Sequence, residues 1–207
     1  MNKLFTTLSA AFLFTLAASA QAGPIKYAAV GTQNATEYTF TAASTGDLVA
    51  YFVGATAAYA DELTVLINGV ASTVLGLNNK TSRNNDTINF GTVQAGDTLV
   101  FKLVTVSQSN VGPWYSQKSL NTDGVNHVYS YAYAGDRALP AGTFVAFEDL
   151  PKGGDFNYND MTFLFTNVLT NAPAKAAANV PEPGSLALLG LGIVGFAASR
   201  RKKTGAA

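Results

Sequence analysis

Leu63-Thr64-Val65-Leu66-Ile67-Asn68-Gly69-Val70-Ala71-Ser72-Thr73-Val74-Leu75 sets two short runs of strand-forming residues on either side of an Asn-Gly pair. Asn-Gly is the strongest short hairpin signal, because a type I′ turn needs positive φ at both central residues. The pair predicts antiparallel strands over 63–67 and 70–75. Outward from it the pattern repeats. Runs rich in Val, Thr, Tyr and Phe, broken by Gly, Asn and Asp, predict strands over 37–41, 48–54, 87–93, 98–106, 127–134, 143–148 and 161–169. Gln94-Ala95-Gly96-Asp97 should turn one strand into the next, and no long helical period precedes the C-terminal tail. So many short strands with regular turn punctuation predict an all-β fold, an antiparallel β-sandwich of jelly-roll type.

The two ends of the chain read differently. Residues 1–22 carry Lys3, an apolar run over 4–18, and small residues at Ala18, Ala20 and Ala22, the three-part layout of a signal peptide. Signal peptidase accepts small side chains one and three residues before its cut, so cleavage fits after Ala20 or after Ala22. The run is short for a bilayer, which needs about 20 apolar residues, and Thr6, Thr7, Ser9 and Thr15 dilute it. At the other end Pro181-Glu182-Pro183 leads into an apolar helix over 184–199, closed by the basic stop Arg200, Arg201, Lys202 and Lys203. This order is similar to the PEP-CTERM sorting signal. The resemblance implies recognition by an exosortase-type membrane protease, and the basic cluster would stay cytoplasmic by the positive-inside rule. Residues 172–180 have neither aromatics nor a strand pattern and read as a linker. The expected layout is therefore signal peptide 1–22, β domain 23–171, linker 172–180 and sorting tail 181–207, with a membrane precursor and a destination at the surface or matrix of a Gram-negative-type bacterium.

The formal charge of zero hides an acidic body. Without Lys3 and the four tail cations 8 basic residues remain, and without Glu182 12 acidic ones remain, so residues 23–180 are net −4. That balance argues against nucleic acid as a partner, since nucleic acid is drawn to Lys/Arg patches. The absence of cysteine excludes disulfides, thiolate metal sites and cysteine nucleophiles. One histidine, His127, does not make an imidazole-rich metal site, and no G-x-S-x-G elbow is present.

The stretch richest in chemistry is Phe147-Glu148-Asp149-Leu150-Pro151-Lys152-Gly153-Gly154-Asp155-Phe156-Asn157-Tyr158-Asn159-Asp160. Alternating Asp155, Asn157 and Asn159 present oxygens as calcium loops do, and Ca²⁺ takes roughly 6–8 of them in flexible geometry. Gly153-Gly154 allows a turn tight enough to bring Glu148 and Asp149 back towards them. Four carboxylates in one connection repel one another without a cation. The candidate ligands are Glu148, Asp149, Asp155, Asn157 and Asp160. Against this, Asp, Asn and Gly are also ordinary turn residues whose side chains cap the backbone.

This stretch and 119–127 before it, Ser-Leu-Asn-Thr-Asp-Gly-Val-Asn-His, resemble the DUF4114 domain over residues 119–165. The resemblance implies an extracellular β module with a calcium site and no established reaction. Asn157 stands where the family often has Asp, which would weaken cation affinity. The expected function is a non-enzymatic surface or matrix protein, processed by signal peptidase and an exosortase and stiffened by structural calcium. One alternative is a carbohydrate-binding module of the exopolysaccharide layer, with Trp114, Tyr115, Tyr129, Tyr131 and Tyr133 as stacking faces. A distant one is a glycan-acting hydrolase using Glu148 and Asp160. For Trp114 the commoner fate is a core anchor, for the tyrosines one packed strand face, and for His127 a hydrogen-bonded structural role.

Overall fold

The computed structural model describes residues 26–171 of the 207. In chain order the strands are β1 (Phe40–Ala42), β2 (Gly46–Ala55), β3 (Asp61–Ile67), β4 (Val70–Ala71), β5 (Thr87–Val93), β6 (Thr98–Thr105), β7 (Trp114–Tyr115), β8 (Val128–Tyr133), β9 (Gly142–Phe147), β10 (Met161–Thr166) and β11 (Val168–Thr170). Two single-turn 3-10 segments, Lys118–Leu120 and Pro151–Gly153, are the helical elements among the described residues, and no helix there is long and apolar enough to cross a membrane. The predicted signal helix and tail helix lie outside the described residues.

The strands form two antiparallel sheets. One runs β11-β1-β6-β3-β4 with β7 added against β6; the other runs β5-β2-β10-β9-β8. Because side chains alternate across a strand, β10 sends Phe163 and Phe165 into the core between the sheets and Leu164 to the opposite face. The ring of Phe165 stacks on Phe101 of β6 with centroids 3.8 Å apart and planes at 19°, a direct contact from one sheet to the other. The opposite face of the second sheet is apolar too. Tyr129, Tyr131 and Tyr133 of β8 lie there with Phe144 and Leu164, and all three tyrosines are buried. Their alternation marks one packed strand face.

The Asn-Gly hairpin forms in the predicted register, with Ile67 opposite Val70 and Leu66 opposite Ala71. Asn68 and Gly69 have φ of 50° and 81°. The Asn68 side chain also works outward: its Nδ2 donates to Asp97 Oδ1 at 2.8 Å and its Oδ1 accepts from Thr98 N at 2.9 Å, which ties this hairpin to the predicted turn at 94–97.

Three boundaries differ from the sequence reading. The second arm of the hairpin stops at Ala71 because the Ser72 hydroxyl takes the Val74 N–H at 3.0 Å, removing it from the ladder. The run 161–169 is two strands in two sheets, broken at Asn167, whose φ is 61°. Asn167 accepts from Ser44 N at 2.9 Å and donates to Ser44 O at 2.9 Å, so it fastens this corner to the neighbouring one between β1 and β2, where the chain also changes sheet. Strand β7 was not read at all, since two residues are too short to leave a pattern.

Phe101→Ala removes the ring that stacks across the two sheets from a position with no solvent exposure. We expect a loss of about 3–5 kcal/mol, read as a lower urea midpoint at unchanged slope.

Candidate acidic site

Glu148 and Asp149 follow β9 directly, and Asp160 stands just before β10, so the strands themselves bring the two ends of the acidic loop together. Glu148 and Asp149 are 1% and 2% exposed, while Asp160 is half-buried. Asp160 Oδ2 accepts the Asp149 N–H at 3.0 Å, and Glu148 Oε1 accepts the Tyr158 N–H. To this group the fold adds a residue from the other sheet: Asp61, the first residue of β3, is fully buried. Its Oδ1 accepts the Thr105 hydroxyl at 2.7 Å.

The four carboxyls form a chain in which Asp61 interacts with Asp149, Asp149 with Asp160, and Asp160 with Glu148. Burial, then mutual repulsion, pushes Glu148 up to about 8 and Asp149 and Asp160 up to about 6. Asp61 is raised as well, chiefly by burial. Asp61 Oδ2 and Asp149 Oδ2 are buried without any hydrogen-bond donor. Among the described residues no Lys or Arg makes an ion pair with any of the four; the Lys80 ammonium, which helps Asp61 stay charged, is spent on Ala57 O at 2.7 Å.

The middle of the loop does something else. Asp155 is exposed, and its carboxylate accepts both the backbone N–H of Asn157, at 3.1 Å, and its side-chain amide, at 2.7 Å. Asn157 Oδ1 in turn accepts the Asn159 N–H at 2.9 Å. This is a run of capped turns. Of the five sequence candidates, Glu148, Asp149 and Asp160 therefore come together, whereas Asp155 and Asn157 bond to each other at the surface. Asp61 was missed because nothing in a strand that starts Asp-Glu-Leu marks it as buried. The predicted cleavage residues Ala20 and Ala22, the motif Pro181, Glu182 and Pro183, and the basic stop Arg200, Arg201, Lys202 and Lys203 lie outside the described residues.

Gly153 and Gly154 make the turn that the sequence asked of them, at φ of 76° and 50°. A Cβ on Gly153 would meet the Phe156 ring at 2.2 Å, and one on Gly154 would meet Glu148 Oε2 at 3.2 Å. The segment 119–127 is clamped against the same loop. Asp123 Oδ2 accepts the Lys152 N–H at 2.7 Å, and the Tyr158 hydroxyl donates to Asn126 O at 3.0 Å. His127, fully buried, sets Nδ1 at 2.9 Å from Glu148 O and Nε2 at 3.0 Å from Asp123 Oδ2. Both partners are acceptors, which leaves neither ring nitrogen for a metal. Trp114 stacks on His127 with centroids 4.0 Å apart and donates its indole N–H to Asp149 O, so it is a core anchor.

The donor set is of the kind a hard divalent cation takes, carboxylate oxygens, two of which are buried without a hydrogen-bond partner. It is not a finished cage: among the described residues no three acidic or histidine side chains already surround a common point. Calcium, with flexible geometry and a tolerance for backbone and water oxygens, fits an open pair better than magnesium with its strict octahedron.

Two family models match the chain. One, described as a domain of unknown function (DUF4114), matches residues 64–167; the other, the PEP-CTERM protein-sorting motif, matches residues 179–202. The first extends well before the segment 119–165 on which the sequence resemblance rests, and begins just after Asp61. The second spans Pro181–Pro183 and most of the basic stop, and it makes the chain an exported protein processed by an exosortase, a membrane protease, from a membrane-anchored precursor. No curated protein and no solved structure matches the chain.

The raised carboxyls set a pH dependence for the metal-free protein. A folded-state value of about 6 to 8 means that the native state keeps protons the unfolded chain releases near 4. Native protons then outnumber unfolded ones, so stability is full below pH ~4 and falls as pH rises towards 8. In a chelating buffer the melting temperature should be higher at pH 5 than at pH 8, and Glu148→Gln should flatten the upper part of that slope.

Proposed function

The chain belongs to the DUF4114 family, and on that premise we propose that it is a non-enzymatic surface or extracellular-matrix protein whose β domain is stiffened by one calcium ion. The observation that carries the metal is the pair of buried, donorless oxygens on Asp61 and Asp149, backed by Asp160 and Glu148. A cation there would join β3 of one sheet to the β9–β10 loop of the other and offset the burial and mutual repulsion that raise the carboxyls. The role is structural, because the one hydroxyl bonded to the cluster among the described residues, that of Thr105 on Asp61, is buried, and His127 is committed at both nitrogens. Release at the cell surface or into the matrix follows from cutting at the Pro-Glu-Pro entry, which would separate the β domain from the apolar helix and basic end.

Calcium at about 100 times Kd should stabilise the folded chain by about 2.7 kcal/mol, since it binds only the native state. The melting temperature of the full chain in detergent should therefore rise with calcium and fall with chelator. Asp61→Asn and Asp149→Asn should each erase most of that response while leaving the metal-free protein folded, because each removes a repelling charge. Asp155→Asn should keep the response. A melting temperature indifferent to calcium and chelator would mean that the cluster shares protons instead, and would sink the metal reading.

In a host with the matching protease, mass spectrometry of the processed protein should show a chain that ends near Pro181–Pro183. With these three residues changed to alanine, the chain should stay membrane-bound with Arg200–Ala207 intact.

A further inference from the structure

Asn68-Gly69, the turn between β3 and β4, carries a chemistry that its structural role does not use. An asparagine followed by glycine can lose ammonia. Base removes the proton of the glycine amide, that nitrogen attacks the asparagine Cγ to form a new C–N bond, and the bond from Cγ to Nδ2 breaks as ammonia leaves with a proton. The product is a five-membered succinimide. Water then adds across either of its two ring C–N bonds, giving aspartate or isoaspartate, and no oxidant or reductant enters. The site is open to water: Asn68 and Gly69 are both exposed, and nothing lies within 4 Å of where a Gly69 Cβ would stand.

The attack needs the Asn68 carboxamide to turn over its own backbone until Cγ meets the Gly69 nitrogen. The fold holds it the other way. Nδ2 donates to Asp97 Oδ1 at 2.8 Å and Oδ1 accepts from Thr98 N at 2.9 Å, so both ends of the carboxamide are pinned to a distant stretch of chain. The backbone adds a third point, since Asn68 N donates to Thr98 O at 2.8 Å. This catch is anchored independently of the hairpin. Asp97 Oδ2 accepts Gln94 N at 2.7 Å, while Gly96 N donates to Ala42 O and Ala42 N to Asp97 O, each at 2.9 Å, which fixes the turn at 94–97 to β1. The bonds from Gln94 and Asn68 hold the Asp97 carboxyl below its usual range, so it remains an ionised acceptor at neutral pH.

We infer that Asn68 is a latent deamidation site, held closed by Asp97 and Thr98 and converted only when the hairpin parts from the turn at 94–97. Conversion is one-way. Aspartate at position 68 would replace the donor that faces Asp97 with a second carboxylate, and the two would repel. Isoaspartate would put an extra carbon into the backbone of a two-residue turn whose register pairs Ile67 with Val70. Either product leaves the hairpin untied from its neighbour. In an exported protein the turn thereby becomes a permanent record of having opened.

The test is peptide mapping by mass spectrometry of the full chain in detergent, stored in mildly alkaline buffer beside a free peptide of residues 63–75. The chain should convert at Asn68 more slowly than the peptide by about ten-fold or more, since two hydrogen bonds must break first, one of them to a charged acceptor. Asp97→Ala should recover most of that difference. Phe101→Ala, which weakens the core without touching the catch, should leave the rate of the unaltered chain, and so separates opening of the turn from unfolding of the domain. The proposal is overturned if the unaltered chain converts as fast as the peptide, if Asp97→Ala converts no faster than the unaltered chain, or if Phe101→Ala speeds conversion as much as Asp97→Ala does.

Discussion

Two carboxylate oxygens, Asp61 Oδ2 and Asp149 Oδ2, sit buried without a hydrogen-bond partner, and the carboxyls of Asp160 and Glu148 lie next in the chain. Ionised carboxylates in such a place are costly on two counts. Each loses its hydration, and each repels the next through a medium of low dielectric. The fold must answer with protons or with a cation, since among the described residues it supplies no Lys or Arg as an ion-pair partner. Protons are the answer of the isolated chain at Glu148, raised to about 8, and at Asp149 and Asp160, raised to about 6, only as the medium turns acidic. A cation is the answer that lets all four stay charged at neutral pH. The choice between them decides how firmly β3 is tied to the β9–β10 loop.

The surrounding polar network makes sense as support for that junction. Trp114 and His127 stack on each other and bond to the backbone carbonyls of Asp149 and Glu148, so the two carboxyls leave the backbone from fixed points. Asp123 takes both the His127 ring and the Lys152 N–H, and Asn126 bonds to Asn34 O and Thr36 O. The segment 119–127, far from the acidic loop in sequence, is therefore its scaffold. Its contacts, Asp123 to the Lys152 N–H, Asn126 O to the Tyr158 hydroxyl and His127 to Glu148 O, hold the loop at three points.

How much of this the sequence disclosed depended on whether the signal was local. Strand runs and the Asn68-Gly69 turn are short-range properties of β-branched residues and of backbone sterics, and both were legible. So was the loop as a place where oxygens gather. Asp61 was not, because its burial depends on β3 pairing with β6 and on the β9–β10 loop folding over it, contacts that no window of sequence contains. Asp155 and Asn157 were ambiguous for the opposite reason. Alternating Asx residues carry the same pattern whether their oxygens converge on a cation or cap successive backbone N–H groups, and here they cap. The break at Asn167 was hidden because Asn tolerates a left-handed conformation without announcing it inside an otherwise apolar run.

A cysteine-free exported domain lacks the usual means of cross-linking its chain. Disulfides stabilise chiefly by restricting the unfolded ensemble, and more so when they close long loops. An ion held between Asp61 and Asp149 would join residues as far apart in sequence as a long-loop disulfide does, and would bridge the two sheets besides. The mechanism differs in being reversible and in drawing its stabilisation from the free-ion concentration. Inside the cell, where free calcium is scarce, the four carboxyls would keep their protons or their repulsion and the junction would stay loose. Outside, the same residues would lock. An exported chain is suited by a cross-link of that kind, which would form only on the far side of the membrane.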